Sequence, residues 1–146
     1  MRAPFQILAI PFKQDNEPLY GLLHRADMGQ WQFVAGGGEN DETPKEAAIR
    51  EIYEEAGMKT TDVIELVSMA YVPANVISEK HRQYWPKDTY VLPEYHFAFE
   101  CEGEIQISKE HSEYVWLDYE SAMKKLTWDS NRTALYELNC RLLKKG

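Results

Sequence analysis

The sequence predicts an α+β fold in which a mixed central sheet carries packed helices. Short apolar segments with strand character recur along the chain, and helical periodicity replaces them at 43–56 and again after residue 118. No internal repeat, linker or low-complexity segment interrupts this order. Such a succession is typical of a sheet covered by helices. The 146 residues have the length of one domain, so we expect 1–146 to form a single domain.

The first elements are predicted to be strands. Apolar segments at 5–12 and 19–25 flank a turn cluster at 15–18, which predicts a hairpin. A short strand at 31–34 then runs into three consecutive glycines at 36–38, which we expect to form a loop.

The helix predicted over 43–56 has well-specified ends. Thr43 is the expected N-cap, Pro44 occupies the first helical position, and Glu46 completes a capping box. Gly57 follows the last turn, where a left-handed residue ends a helix at low cost. One apolar stripe of this helix should face the core: Ala48, Ile49, Ile52 and Ala56.

The second half of the chain continues the same alternation. A polar and aromatic loop is predicted at 77–87. Strands are predicted at 63–76, 90–100, 105–108 and 114–117. Closing helices are predicted at 119–126 and 130–144.

Composition excludes several classes of partner. The 24 acidic and 16 basic side chains give a net charge of −8, which opposes association with nucleic acid polymers or anionic lipid. No apolar run approaches the ~20 residues of a membrane span, and the amino terminus lacks a signal-peptide cleavage pattern. Cys101 and Cys140 lie far apart without neighbouring metal ligands. We therefore expect a cytoplasmic protein with free thiols.

An acidic stripe adjoins the apolar stripe of the predicted helix at 43–56. Glu51, Glu54 and Glu55 repel one another at these spacings by a few tenths of a kcal/mol per pair, and Arg50 offsets only part of that repulsion. A solvated acidic face is one interpretation, and a site for a hard divalent cation is the other. The preceding glycines favour the second, because they let the backbone approach a phosphate closely.

Residues 36–58 resemble the Nudix box, which is the signature of a hydrolase family. Its spacing is Gly, five residues, Glu, seven residues, Arg-Glu, an aliphatic, any residue, Glu-Glu, any residue, Gly and an aliphatic. The fixed positions are Gly36, Glu42, Arg50, Glu51, Ile52, Glu54, Glu55, Gly57 and Met58. The resemblance implies an α/β/α Nudix sandwich, with the Nudix helix on one side of a mixed sheet and C-terminal helices.

The same resemblance implies an activity and its residues. Nudix hydrolases cleave a nucleoside diphosphate linked to another group, using Mg²⁺ or Mn²⁺ held by glutamates of the box. By match to the motif, the implied metal ligands are Glu51, Glu54 and Glu55, with Arg50 as their orienting partner and Glu42 in support. A divalent ion would neutralise phosphate oxygens, acidify a bound water and stabilise the leaving group.

Weaker similarity outside the box points to the bacterial dATP and dihydroneopterin triphosphate pyrophosphohydrolases. The segments concerned are 22–25, 31–36, 81–86, 109–118 and 126–132. This resemblance implies Glu110 as a further metal ligand or base, with Glu113 as the competing carboxylate. The predicted catalytic group is then Glu54, Glu55, Glu110 and Arg50, and Glu110 joins the predicted metal ligands.

The residues predicted to bind substrate also have structural interpretations. They are Arg25, Trp31, Gly36, Gly37, Arg82, Tyr84 and Asn131. Cationic and aromatic side chains suit a phosphate and a stacked base or pterin. Trp31 also fits a core position, Arg25 a solvated strand end and Asn131 a helix cap.

The sequence therefore predicts a Mg²⁺-dependent pyrophosphohydrolase, with Mn²⁺ as a second candidate metal. The expected substrate is a small (deoxy)nucleoside triphosphate or a similar compound, cleaved to the monophosphate and pyrophosphate. ADP-ribose, a sugar nucleotide or a dinucleoside polyphosphate are alternative substrates, because substrate choice lies outside the box. A non-catalytic Nudix-fold module is the last hypothesis, since this chain keeps every box carboxylate. The oligomeric state, monomer or homodimer, is left open.

Overall fold

The computed structural model describes residues 1–144 and contains seven strands and four helices in that range. Their bounds are β1 (Arg2–Gln14), β2 (Pro18–Arg25), β3 (Trp31–Gln32), β4 (Val34–Glu39), α1 (Pro44–Ala56), β5 (Val63–Pro73), α2 (Glu79–Arg82), β6 (Val91–Glu100), β7 (His111–Leu117), α3 (Tyr119–Lys125) and α4 (Asp129–Lys144). Within residues 1–144, no helix is both long enough and apolar enough to span a lipid bilayer.

The seven strands form one mixed sheet. Its main path runs β3-β2-β1-β6-β5, with β4 also paired to β1 and β7 to β2. The β1–β6 pair is parallel, with Gln6 opposite Glu94 and Phe12 opposite Glu100, and the other pairs are antiparallel. The predicted hairpin between the first two strands is confirmed.

Helices cover both faces of the sheet. Side chains alternate between the faces along each strand, so both faces carry apolar side chains that a helix can bury. On β1, Ile7 and Ala9 pack in one core with α1, whereas Leu8 and Ile10 pack in a second core with α3 and α4. The α1 helix presents Ala47, Ala48, Ile52 and Ala56 to the first core. Ile49, predicted in this buried stripe, is only partly buried. The predicted α+β sandwich is confirmed.

The glycines at 36–38 form part of strand β4, so the prediction of a loop there was wrong. Gly37 lies opposite Gln6 of β1, and Gly36 lies opposite Ile7. Side chains from β1 and α1 fill the space beside these glycines.

Three further predictions differ from the structure. Residues 105–108 are irregular, because the Gln106 N–H donates to the Ala56 carbonyl (2.9 Å) at the end of α1 and does not join a strand. The predicted strand at 63–76 ends at Pro73 and continues as a 3₁₀ turn. The loop predicted at 77–87 contains α2, and the Trp85 indole N–H fastens this segment to the Arg2 carbonyl (2.8 Å).

Candidate functional site

Helix α1 is the rigid platform of the site. The Thr43 side chain accepts the Glu46 N–H (3.1 Å), and Glu46 accepts the Thr43 N–H (2.8 Å), which confirms the capping box. At the other end Gly57 has a φ of 71° and donates its N–H to the Tyr53 carbonyl (3.1 Å). A side-chain N-cap contributes about 1 kcal/mol, so the helix ends are well held.

Arg50 joins three glutamates to strand β4. Its Nε and Nη2 donate to the two oxygens of Glu42 (2.8 and 3.0 Å). Its Nη1 donates to Glu51 (2.9 Å) and Glu54 (3.1 Å), and its Nη2 also donates to the Gly37 carbonyl (2.7 Å). The bond from Arg50 holds the pKa of Glu42 below its usual value. Arg50 is therefore the residue that brings Glu42, Glu51 and Glu54 together beside β4.

Glu51 and Glu55 form a buried carboxyl pair. Their side chains are 12% and 5% exposed, whereas that of Glu54 is 52% exposed. The two carboxyl groups are close enough for the charge of Glu51 to disfavour ionisation of Glu55. Burial raises the pKa of both groups, and the Glu51 carboxyl raises that of Glu55 further. A solvated acidic face therefore does not describe Glu51 and Glu55.

Strand β4 has little free space beside two adjacent glycines, where a Cβ would displace a side chain of α1 or of β1. A Cβ on Gly36 would lie 2.2 Å from Cδ of Glu51 and 2.5 Å from each of its oxygens. A Cβ on Gly37 would lie 1.9 Å from Cζ of Arg2. Gly36 and Gly37 are predicted to contact substrate. In the structure the Glu51 carboxylate lies beside Gly36, and the Arg2 guanidinium lies beside Gly37.

The strands opposite α1 contribute further charged groups. Arg25 of β2 lies opposite His111 of β7, and the Ala26 N–H donates to the Glu110 carbonyl (2.9 Å). The Arg25 guanidinium donates to both oxygens of Asp27 (2.9 and 2.8 Å), and this pairing raises the pKa of Arg25.

The structure separates the two competing loop carboxylates. Glu110 is close enough to Glu55 for its charge to add, after burial and Glu51, to the rise in the pKa of Glu55. Glu113 lies opposite His24, and its neighbour Tyr114 packs in the α1-side core. Because neighbouring side chains point to opposite faces, Glu113 lies on the face away from α1.

The remaining predicted substrate residues lie apart from the carboxylates. Trp31 packs in the core beneath α3 and α4, with the His24 ring at 4.9 Å and Lys125 Nζ 4.6 Å from its centroid. Asn131 of α4 is buried, and its Oδ1 has no hydrogen-bond partner within residues 1–144. On the segment between β5 and β6, Arg82 donates to the Ile77 carbonyl (2.7 Å) and Tyr84 is exposed.

Sequence reasoning missed Arg2 and His111. Arg2 is half-buried beside Gly37 and donates to the Ala3 and Phe5 carbonyls (2.6 and 2.7 Å). Its guanidinium is close enough to Glu51 for the two charges to interact. His111 is buried, with Nε2 3.8 Å from Glu55 Oε1. Neither residue belongs to the motif. Arg2 lies on β1 and His111 on β7, and the pairing of these strands in the sheet places them near the glutamates of α1.

The donor set of the site suits a hard divalent cation. In the part of the chain that the structure describes, no three His, Cys, Asp or Glu side chains converge as a metal site. Glu51 and Glu54 bind Arg50 instead. Carboxylate oxygens are nevertheless the preferred ligands of Mg²⁺. Buried carboxyl groups whose pKa is raised are groups at which a bound cation can replace a proton.

Known proteins resemble this chain over almost its full length. The NUDIX domain model matches residues 6–138. Dihydroneopterin triphosphate diphosphatase of Escherichia coli (strain K12) is 31% identical over 140 residues, covering 92% of this chain and 91% of the relative. A crystal structure of a protein described as a NUDIX hydrolase, from Listeria monocytogenes str. 4b F2365, has a TM-score of 0.84 and 46% identity, covering 98% of this chain and 97% of that chain. The E. coli dihydroneopterin triphosphate pyrophosphohydrolase has a TM-score of 0.74 and 28% identity, covering 94% and 97%.

Proposed function

The chain belongs to the Nudix family, and from that premise we propose that it is a Mg²⁺-dependent pyrophosphohydrolase of a (deoxy)nucleoside triphosphate or of dihydroneopterin triphosphate. The products would be the monophosphate and pyrophosphate. The observation that carries the proposal is the buried Glu51–Glu55 pair beside Arg50, which places two carboxyl groups where a cation can bind. Support for the substrate class comes from the E. coli dihydroneopterin triphosphate diphosphatase, which matches over 92% of this chain.

We propose that Glu51, Glu54, Glu55 and Glu110 hold the cation. When bound there, Mg²⁺ supplies neutralisation of the phosphate oxygens and a more acidic water. Arg50 keeps Glu51 and Glu54 in place through its Nη1 bonds, and its bidentate bond to Glu42 fixes the guanidinium itself.

We propose that the Glu110 carboxylate accepts a proton from the attacking water. This carboxylate is exposed in the turn before β7, and its charge reaches Glu55. Arg25 is close enough to Glu110 and Glu55 for their charges to act on its guanidinium. We propose that this guanidinium gives up its hydrogen bonds to Asp27 and donates to a phosphate oxygen of the substrate. An exposed carboxylate beside bound phosphates is well placed to accept a proton.

The remaining proposed contacts concern the ring system of the substrate. Arg82 and the exposed Tyr84 are carried by the segment that Trp85 fastens to Arg2. We also propose substrate contacts for Trp31 and Asn131, which lie on the face of the sheet that α3 and α4 cover. We also propose that residues 1–146 act as one cytoplasmic domain, monomeric or homodimeric, without a nucleic acid polymer or membrane partner. A net charge of −8 favours small substrates that arrive with a divalent cation.

A substrate screen tests this function. The purified chain is incubated with Mg²⁺ and each of the dNTPs, dihydroneopterin triphosphate, ADP-ribose, a sugar nucleotide and a dinucleoside polyphosphate, and the products are identified. We expect monophosphate and pyrophosphate in equal amounts from a triphosphate. Glu54→Gln should lose most of this activity, whereas Glu120→Gln, exposed on α3, should keep it.

Two outcomes would contradict the proposal. Full turnover in excess EDTA would exclude the divalent cation. Hydrolysis of ADP-ribose, a sugar nucleotide or a dinucleoside polyphosphate without any cleavage of triphosphates would keep the family activity but replace the substrate.

A further inference from the structure

His111 is a buried imidazole for which the proposed chemistry has no use. Its side chain is 1% exposed, and neither ring nitrogen has a hydrogen-bond partner anywhere in residues 1–144. A buried polar group without a partner costs about 1–3 kcal/mol, and most such groups in native proteins are paired. The buried His96 follows that rule, with Nδ1 3.0 Å from Ser68 Oγ and Nε2 2.8 Å from Glu94 Oε1. The unpaired nitrogens of His111 therefore call for a partner.

One acceptor close to His111 belongs to the box. Nε2 lies 3.8 Å from Glu55 Oε1, so a displacement of about 1 Å brings the two atoms within N–H···O distance. In the structure Glu55 Oε1 accepts the Ala35 N–H at 3.4 Å, and a carboxylate oxygen has a second lone pair that can accept a bond from the imidazole.

We propose that His111 is a positioning residue that donates its Nε2–H to Glu55 Oε1 and fixes this carboxylate for cation binding. The inference rests on the proposed function in taking Glu55 as a metal ligand. His111 directly follows Glu110, whose carbonyl accepts the Ala26 N–H (2.9 Å), and it lies opposite Arg25. The bond would therefore also tie the start of β7, next to Glu110, to helix α1. Such bonds behind the ligands of a metal commonly change affinity or activity by about 10–100-fold.

Three variants separate hydrogen bonding from packing. His111→Phe keeps the ring size but removes the donor, and His111→Gln keeps an N–H donor. His24→Phe is the matched control, because His24 lies on the neighbouring strand, opposite Glu113 in the register, with its side chain on the other face of the sheet. We expect His111→Phe to weaken Mn²⁺ binding, measured by calorimetry, about 10–100-fold. His111→Gln and His24→Phe should stay close to the wild-type Kd.

A second measurement uses the wild-type protein, so that it does not depend on the folding of a variant. Histidine side-chain ¹⁵N NMR with saturating Mg²⁺ should show a hydrogen-bonded Nε2–H on His111. An Nε2 without a hydrogen-bonded proton in that state would overturn the inference. So would a folded His111→Phe with wild-type Mn²⁺ affinity, or equal losses in His111→Phe and His111→Gln.

The failure of this inference can be told from the failure of the proposed function. Wild-type protein that binds Mn²⁺ but cleaves no triphosphate contradicts the substrate assignment, while the order of the Kd values still decides the role of His111. Wild-type protein that binds neither Mn²⁺ nor Mg²⁺ overturns both.

Discussion

At the scale of single residues, Gly36 determines where the Glu51 carboxylate can lie. Gly36→Ala would place a Cβ 2.2 Å from Cδ of Glu51, so the carboxylate must move. Overpacking of this kind costs about 1–3 kcal/mol. We expect kcat/KM to fall about 10–100-fold and half-saturation to need more Mg²⁺, as measured by steady-state kinetics over a Mg²⁺ titration. Gly103→Ala is the control, because no described atom lies within 4 Å of the added methyl. Equal activity of the two variants would show that Glu51 tolerates displacement.

The Glu55 carboxyl makes the stability of the metal-free protein depend on pH. Its pKa is raised from 4.5 to about 10, first by burial and then by Glu51. Between these values the folded state binds more protons at Glu55 than the unfolded state, so the contribution of Glu55 to stability is fully present below pH 4.5 and falls as pH rises. Calorimetric Tm values in a chelating buffer should therefore decrease from about pH 5 to about pH 9. Glu55→Gln should make this slope shallower, whereas Glu120→Gln should leave it unchanged. An unchanged slope in Glu55→Gln would contradict the raised pKa.

At the scale of elements, α1 owes its start to the capping box. Thr43→Ala removes the acceptor of the Glu46 N–H (3.1 Å), which should lower the free energy of unfolding by about 1 kcal/mol. Urea denaturation measures this change. The exposed Thr61, located in the turn before β5, provides the control Thr61→Ala, which should stay within about 0.5 kcal/mol of wild type. If Thr43→Ala is no less stable than Thr61→Ala, the cap does not contribute to folding.

The same helix shows which elements a single sequence can predict. Caps, apolar stripe and acidic stripe are local patterns with a helical period, so the helix over 43–56 and the grouping of Glu51, Glu54 and Glu55 could be predicted. Strand β4 could not, because three glycines carry no strand propensity and become a strand only through pairing with β1. Residues 105–108 have strand-like composition, but the Gln106 N–H is bound by the end of α1.

At the scale of the whole molecule, the sheet divides the predicted substrate residues between its two faces. Arg25 shares the α1 face with the carboxylates, whereas Trp31 and Asn131 belong to the side of α3 and α4. Strand register decides this division, and register depends on long-range pairing that spacing along the sequence does not reveal. Arg2 and His111 escaped prediction for the same reason, since β1 and β7 bring them to α1 only in the folded sheet.

The division between faces makes the choice between Glu110 and Glu113 testable. Both carboxylates are exposed and three residues apart, but Glu113 lies opposite His24 on the face away from α1, whereas the charge of Glu110 reaches Glu55. We expect Glu110→Gln to lower kcat about 10²–10⁴-fold, the range for a positioned acid–base group, with little change in KM or Tm. Glu113→Gln, the matched control, should retain wild-type kcat. Steady-state kinetics at saturating Mg²⁺ measures both. The reverse result would mean that β7 pairs with β2 one residue out of register, because such a slip moves every side chain to the opposite face.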